Sequence, residues 1–132
     1  MRETDLAWLA GIVDGEGSMG IYRTKPTGRM KTHSIAINLH ISNSDIKIIS
    51  YARYLCESIA EKPLTLNYYK RTKGFPEYKI SIHAQKAILK ILSAIKPYLI
   101  GKTDQAEIIL SVLNNRVLWS KWPKDICTVI ER

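Results

Sequence analysis

Leu9-Ala10-Gly11-Ile12-Val13-Asp14-Gly15-Glu16-Gly17 occurs once in this chain and closes its first predicted helix on two acids set among glycines. At 100° per residue, a helix over Thr4 to Val13 puts Leu6, Leu9, Ile12 and Val13 on one face. Ala7, Ala10, Gly11, Asp14 and Gly15 fall on the other. The bulky face predicts an ordinary core contact. The small face predicts a seam at which a second helix approaches closely, which gives Gly11 a reason to occupy a helix interior, where glycine costs about 1 kcal/mol against alanine.

Asp14 and Glu16 lie at the carbonyl end of this helix, where the macrodipole disfavours negative charge. A bound cation would reverse that preference. Carbonyls of a last helical turn together with a carboxylate are oxygen ligands that Mg²⁺ or Ca²⁺ accepts. Taken alone, the tetrapeptide Asp14 to Gly17 reads as a solvated turn ending a helix. A second motif overlaps it, since Gly15-Glu16-Gly17-Ser18-Met19-Gly20 spells G-x-G-x-x-G. That dinucleotide fingerprint should follow a strand and open a helix. Here it follows a helix and runs into a strand pattern from Ser18 to Arg23, so the nucleotide reading is rejected.

The remaining elements follow from periodicity. Pro26 and Gly28 break the first strand; Ile35, Ile37, Leu39 and Ile41 then alternate strictly with polar residues, giving a second, half-buried strand. Ser42 to Asp45 supplies N-cap residues for a helix through Ile46, Ile49, Ala52, Arg53 and Cys56 to about Ile59. Pro63 closes it. Leu64 and Leu66 open a second hairpin, whose returning strand turns Tyr78, Ile80 and Ile82 inward. A helix through Ala87, Ile88, Ile91, Leu92 and Ile95 stops at Pro97. Thr103-Asp104 can cap a last helix carrying Ala106, Ile109, Leu110 and Leu113. The expected order is helix, two strands, helix, two strands, helix, helix, in one domain over 1–132 with a core of about 4–115 and a tail of 116–132. In the tail, Trp119 and Trp122 suggest a packing face.

With 132 residues and a net charge of +8, the chain can bury a core and favours a polyanionic partner. Arg23, Lys25, Arg29 and Lys31 gather at one predicted hairpin tip; Lys70, Arg71 and Lys73 gather at the other. The outward strand positions are Gly20, Tyr22, Thr24, Ser34, Asn38, His40, Thr65, Asn67, Tyr69, Glu77, Lys79 and Ser81. They form a field of donors and acceptors of the kind that reads base edges in a major groove. A plain solvated sheet face remains the alternative. Cys56 and Cys127 lack metal spacing and read as reduced thiols. The histidines make no zinc pattern, and neither a G-x-S-x-G nor a P-loop is present. Without a membrane-length apolar run or a signal peptide, a soluble intracellular protein is expected, with no small-molecule substrate.

The nine-residue stretch closely resembles the LAGLIDADG motif of homing endonucleases, departing mainly at Gly15 for alanine and Glu16 for aspartate. The resemblance extends over roughly Asp5 to Leu113. It implies an α+β fold with an αββαββα core, in which an antiparallel sheet forms a saddle over double-stranded DNA with the helices on one face. It also implies that Glu16 is the metal-binding acid, joined by the Gly15 carbonyl. As in single-motif members, Asn43 at the end of the second strand and Lys47 one helical turn later would approach the catalytic waters. A helix cap and a solvated helix face are their ordinary readings. Lys102, shortly after Pro97, matches a further family lysine and stands before a predicted helix N-terminus, where positive charge is unfavourable. One motif per chain implies a homodimer meeting through Ala7, Ala10, Gly11, Asp14 and Gly15. The implied activity is double-strand cleavage of a pseudo-palindromic target with Mg²⁺ or Mn²⁺, Ca²⁺ being a non-catalytic substitute. The rivals on the same scaffold are an RNA maturase for a host intron and a non-catalytic DNA-binding regulator.

Overall fold

The elements follow one another as α1 (Glu3–Glu16), β1 (Gly17–Thr24), β2 (Ser34–Asn43), α2 (Ile46–Ala60), β3 (Thr65–Tyr69), β4 (Glu77–Ile82), α3 (Gln85–Ile95), a 3₁₀ turn (Lys96–Tyr98) and α4 (Thr103–Asn115). This computed structural model describes residues 1–24 and 34–115. The order is the one that hydrophobic periodicity predicts, with the 3₁₀ turn added where Pro97 cannot continue α3.

The four strands form one antiparallel sheet in the order β1-β2-β4-β3. Because side chains alternate across a strand, register fixes the two faces. Met19, Ile21, Ile37, Leu39, Ile41, Ile80 and Ile82 are buried on one of them. All four helices contribute to the same apolar cluster, which is where the core sits. α2 contributes Ile49, Ala52, Leu55 and Cys56, and α3 contributes Ala87, Ile88, Ile91, Leu92 and Ile95. Burial of a side chain such as Leu9 or Ile91 contributes on the order of 2 kcal/mol. No helix of the described residues is long and apolar enough to cross a membrane.

α1 differs from its expected form in two respects. The helix runs through Asp14, Gly15 and Glu16 and passes straight into β1, with no separate turn. Gly17 makes this possible without a positive φ: its backbone is extended, at φ −90°. A Cβ there would stand 2.6 Å from the Val13 carbonyl oxygen. Close approach therefore explains the glycine. Second, Ala10 is fully buried with Leu9 and Val13, so it faces the chain's own core. Leu6, Leu9, Ala10 and Val13 make the i, i+3, i+4, i+7 stripe of a core-facing helix, and side-chain size had suggested a different grouping. The exposed small stripe narrows to Ala7, Gly11 and Gly15.

Asp45 caps α2, accepting the Lys47 backbone N–H at 2.8 Å. The entry to β3 is pinned by α2, where Arg53 donates to the Leu64 carbonyl at 2.9 Å and Glu57 accepts the Leu64 N–H at 2.8 Å. The start of α1 is tied to α2 by the Tyr51 hydroxyl, which donates to Asp5 at 2.7 Å. That bond, followed by the Arg2 partner, holds the Asp5 carboxyl below its ordinary range against the opposing effect of desolvation.

Candidate nucleic-acid interface and acid cleft

The polar face of the sheet is laid out in rows. Ser18 pairs with His40, His40 with Ser81, and Ser81 with Thr65, so one line of side chains crosses all four strands. A second row joins Ser42, Lys79 and Asn67. Asn38, His40, Lys79 and Ser81 are half-buried, while Tyr22, Thr65 and Tyr69 are exposed. Gly20 leaves room for Tyr22, whose hydroxyl would lie 2.7 Å from a Cβ at that position. The face thus presents fixed donors and acceptors with little apolar surface, as base-edge reading requires.

His40 is the centre of the first row. Its Nδ1 lies 3.2 Å from the Ser81 hydroxyl, and its ring meets His83 edge-on at 5.5 Å. Burial, then the Lys79 and His83 charges, push its pKa below 6.5. Burial and these neighbouring charges thus disfavour a proton on the His40 ring.

At the end of the sheet, the pairing of Gly17 with Ile41 brings Glu16, the last residue of α1, beside the end of β2. Glu16, Ser42, Asn43, Ser44, Arg71, Phe75, Pro76 and Glu77 line a cleft of about 290 Å³. Glu16 and Asn43, expected to act together, thus share one cavity. Asn43 also accepts the Asp45 backbone N–H at 2.7 Å, so its ordinary role as part of the α2 cap is present too. Lys47 is exposed on the first turn of α2 and does not line the cleft.

Arg71, from the basic hairpin tip, and Glu77, from the outward strand positions, meet each other in this structure. They form an ion pair, Arg71 Nη2 donating to Glu77 Oε2 at 2.9 Å. Arg71 is the main reason that the Glu77 carboxyl sits below its ordinary range, with Ser42 a further donor. Lys73 is exposed in the same β3–β4 connection. Lys25, Arg29 and Lys31 lie outside the described residues, as do Trp119, Trp122 and Cys127. Thr24 and Ser34 are placed as the last pair of the β1–β2 register.

Lys102 and Asp14 bind each other at the end of α1. The Lys102 ammonium donates to the Asp14 main-chain carbonyl at 2.6 Å, so it sits at the carbonyl end of α1, where positive charge is favoured. The apparent misplacement before α4 is therefore relieved by another helix. Asp14, expected at a seam between chains, also makes contacts within its own chain. Its carboxylate accepts the backbone N–H groups of Ile100, Gly101 and Lys102 at 2.8, 3.1 and 2.9 Å. It binds the approach to α4, a task that sequence reading gave to Thr103-Asp104; the Thr103 hydroxyl donates back to the Leu99 carbonyl at 2.9 Å. Nothing local in the sequence signals this contact, because its partners lie far along the chain.

Comparison with solved structures decides the architecture. The homing endonuclease I-CvuI, in complex with the I-CreI target, matches with a TM-score of 0.60 and 19% identity over 85% of this chain and 67% of that one. The LAGLIDADG homing endonuclease I-GzeII, in complex with its DNA target, matches with a TM-score of 0.66 and 16% identity over 96% of this chain. This is the LAGLIDADG homing endonuclease fold. The intron-encoded homing endonuclease I-CeuI, complexed with DNA, shares it at 14% identity and a TM-score of 0.59. The chain spans 40% of the I-GzeII chain and 57% of the I-CeuI chain. No family model matches the sequence, and no curated protein matches it. Glu16 is the last residue of α1, the helix that carries the nine-residue stretch.

Proposed function

We propose that this chain is a site-specific DNA endonuclease that works as a homodimer and cuts both strands of a pseudo-palindromic target with a divalent metal. The observation that carries the reading is the place of Glu16. It stands at the end of α1, in a cleft at the edge of a sheet face made of fixed donors and acceptors. Structures that share the fold are described as complexes with DNA targets, which supports the same use of this face.

The donor set fits a hard cation. Glu16, Asn43 and Ser42 offer oxygen, as Mg²⁺ prefers, and among the described residues no third acid, histidine or cysteine completes a closed cage. An open set suits Mg²⁺, which keeps waters and takes substrate phosphate oxygens. Of the carbonyls ending α1, that of Val13 accepts the Gly17 N–H and that of Asp14 accepts Lys102. The Gly15 carbonyl is the one that the family resemblance assigns to metal. When bound, such an ion polarises the phosphate and lowers the pKa of water.

The chain's own residues supply the rest. The polar rows and Lys79 orient the duplex, and the tethered Lys102 holds a positive charge beside α1 to offset negative charge developing on the phosphate. Asn43 orders water in the cleft, and Lys47, outside its lining, orders water beyond it. The exposed stripe of Ala7, Gly11 and Gly15 lets α1 of a second copy approach, so that the two Glu16 carboxylates lie near the symmetry axis. In support, a Cβ at Gly11 or Gly15 would meet nothing within 4 Å in the chain itself, so neither glycine is required by the chain's own packing.

Selection of duplexes from a randomised pool, followed by incubation with Mg²⁺ or Mn²⁺, tests the proposal. Wild-type protein should cut both strands of a selected duplex, while Glu16→Gln binds it and leaves it whole. Binding without cleavage in either metal would overturn the catalytic assignment.

A further inference from the structure

The ion pair at the mouth of the Glu16 cleft does little for stability. Arg71 is 57% exposed and Glu77 28% exposed, and such pairs contribute between nothing and about 1 kcal/mol. Its position is more informative than its strength. Both partners line the same cleft as Glu16, Ser42 and Asn43. Among the described residues, Arg71 is the one cation in that lining, against the two carboxylates of Glu16 and Glu77.

The lining therefore opposes the approach of a phosphodiester while Arg71 is engaged with Glu77. A guanidinium matches a phosphate as well as it matches a carboxylate, through paired N–H donors. An exposed pair on a loop side chain can exchange one anion for the other without movement of the sheet. Glu77 lies in β4 and is fixed by register opposite Tyr69, so the mobile partner in such an exchange is the long arginine side chain.

We propose that Arg71 is a phosphate-binding residue of the Glu16 cleft, held ready by Glu77 and transferred to a DNA phosphate beside Glu16 when the duplex docks. Glu77 is then a positioning residue for Arg71, with no base of its own to read. The inference rests on the nucleic-acid reading above, and adds a cation to the lining of the cleft where that reading puts the reaction.

The test uses a duplex selected by the wild-type protein from a randomised pool, with single neutral methylphosphonates placed in turn along each strand. Wild-type binding should weaken about 10- to 100-fold at the phosphate that Arg71 takes, the range expected for hydrogen bonds to a charged group. Arg71→Ala should lose a similar factor on the unmodified duplex and become insensitive to the methylphosphonate at that one position. Arg71→Lys should recover part of the loss, and Glu77→Gln should keep the full sensitivity, since it leaves the guanidinium in place. If Arg71→Ala retains the wild-type sensitivity at every position, Arg71 contacts no phosphate and the proposal fails while the nucleic-acid reading stands. A wild-type protein that selects no duplex overturns both.

Discussion

Asp14 holds Lys102 at both of its ends: the carboxylate accepts the lysine's backbone N–H at 2.9 Å, and the main-chain carbonyl accepts its ammonium at 2.6 Å. Two residues, 88 apart in sequence, thereby lock the end of α1 to the start of α4. Glu16 lies two positions beyond the lock. Its placement relative to the helices is consequently a property of the Asp14–Lys102 pair as much as of α1.

Replacing Asp14 by alanine should lower stability by about 2 kcal/mol, since three backbone donors lose a charged acceptor in a partly exposed place. Urea unfolding measures the loss. Asp14→Asn keeps one acceptor oxygen and should recover part of it. Lys102→Met removes only the ammonium and should cost less, under about 1 kcal/mol for a cation at an exposed helix end. Equal losses for all three variants would contradict the double tether.

Gly11 and Gly17 should respond in opposite ways to the same substitution. Alanine at Gly17 brings a Cβ to 2.6 Å from the Val13 oxygen and 3.0 Å from the Val13 Cα, both backbone atoms. The junction must shift, at a cost of about 1–3 kcal/mol. Alanine at Gly11 meets nothing in the chain and should stabilise the isolated protomer by up to about 1 kcal/mol through helix propensity. A bulky residue at Gly11 should instead lower the sedimentation coefficient by separating the protomers. If Gly11→Leu sediments as wild type does, α1 is not the seam.

The strands were legible because alternation is a two-fold pattern that tolerates no slip: Ile37 and Ile41 of β2 and Ile80 and Ile82 of β4 proved buried, and the polar rows followed. The helix face of α1 was less legible. Ala10 is small and was grouped with Gly11, although its spacing from Leu6 and Val13 places it in the core. Size and angular phase compete in a short helix, and phase decides burial. Asp14 and the Arg71–Glu77 pair were not legible at all as contacts. Their partners are set by how α1 meets α4 and how the β3–β4 connection folds over Glu16, which no local window contains.

Cys56 is buried within α2, and desolvation pushes its thiol up to about 12. Thiolate is the reacting species, so native protein should leave Cys56 unmodified by a disulfide reagent at pH 8. In a Cys127→Ser background, which isolates this thiol, labelling should appear only in denaturant. Stoichiometric labelling of the native variant would contradict the packing of α2 on the sheet.

The pH dependence of the sheet face centres on His40. Desolvation lowers its pKa first, and the charges of Lys79 and His83 lower it further, from 6.5. The folded protein thus resists protonating this ring, whereas the unfolded chain takes the proton near the ordinary value. Stability from a neutral His40 is fully present above about 6.5 and is lost as pH falls through the lower folded pKa. Histidine NMR titration should give His40 a midpoint below 6.5, and Lys79→Gln should move it upward. Unfolding in urea should show a smaller loss between neutral and mildly acidic pH for His40→Gln than for wild type. A His40 midpoint at or above 6.5 would mean that the ring is better solvated than its place between Ser81 and His83 allows.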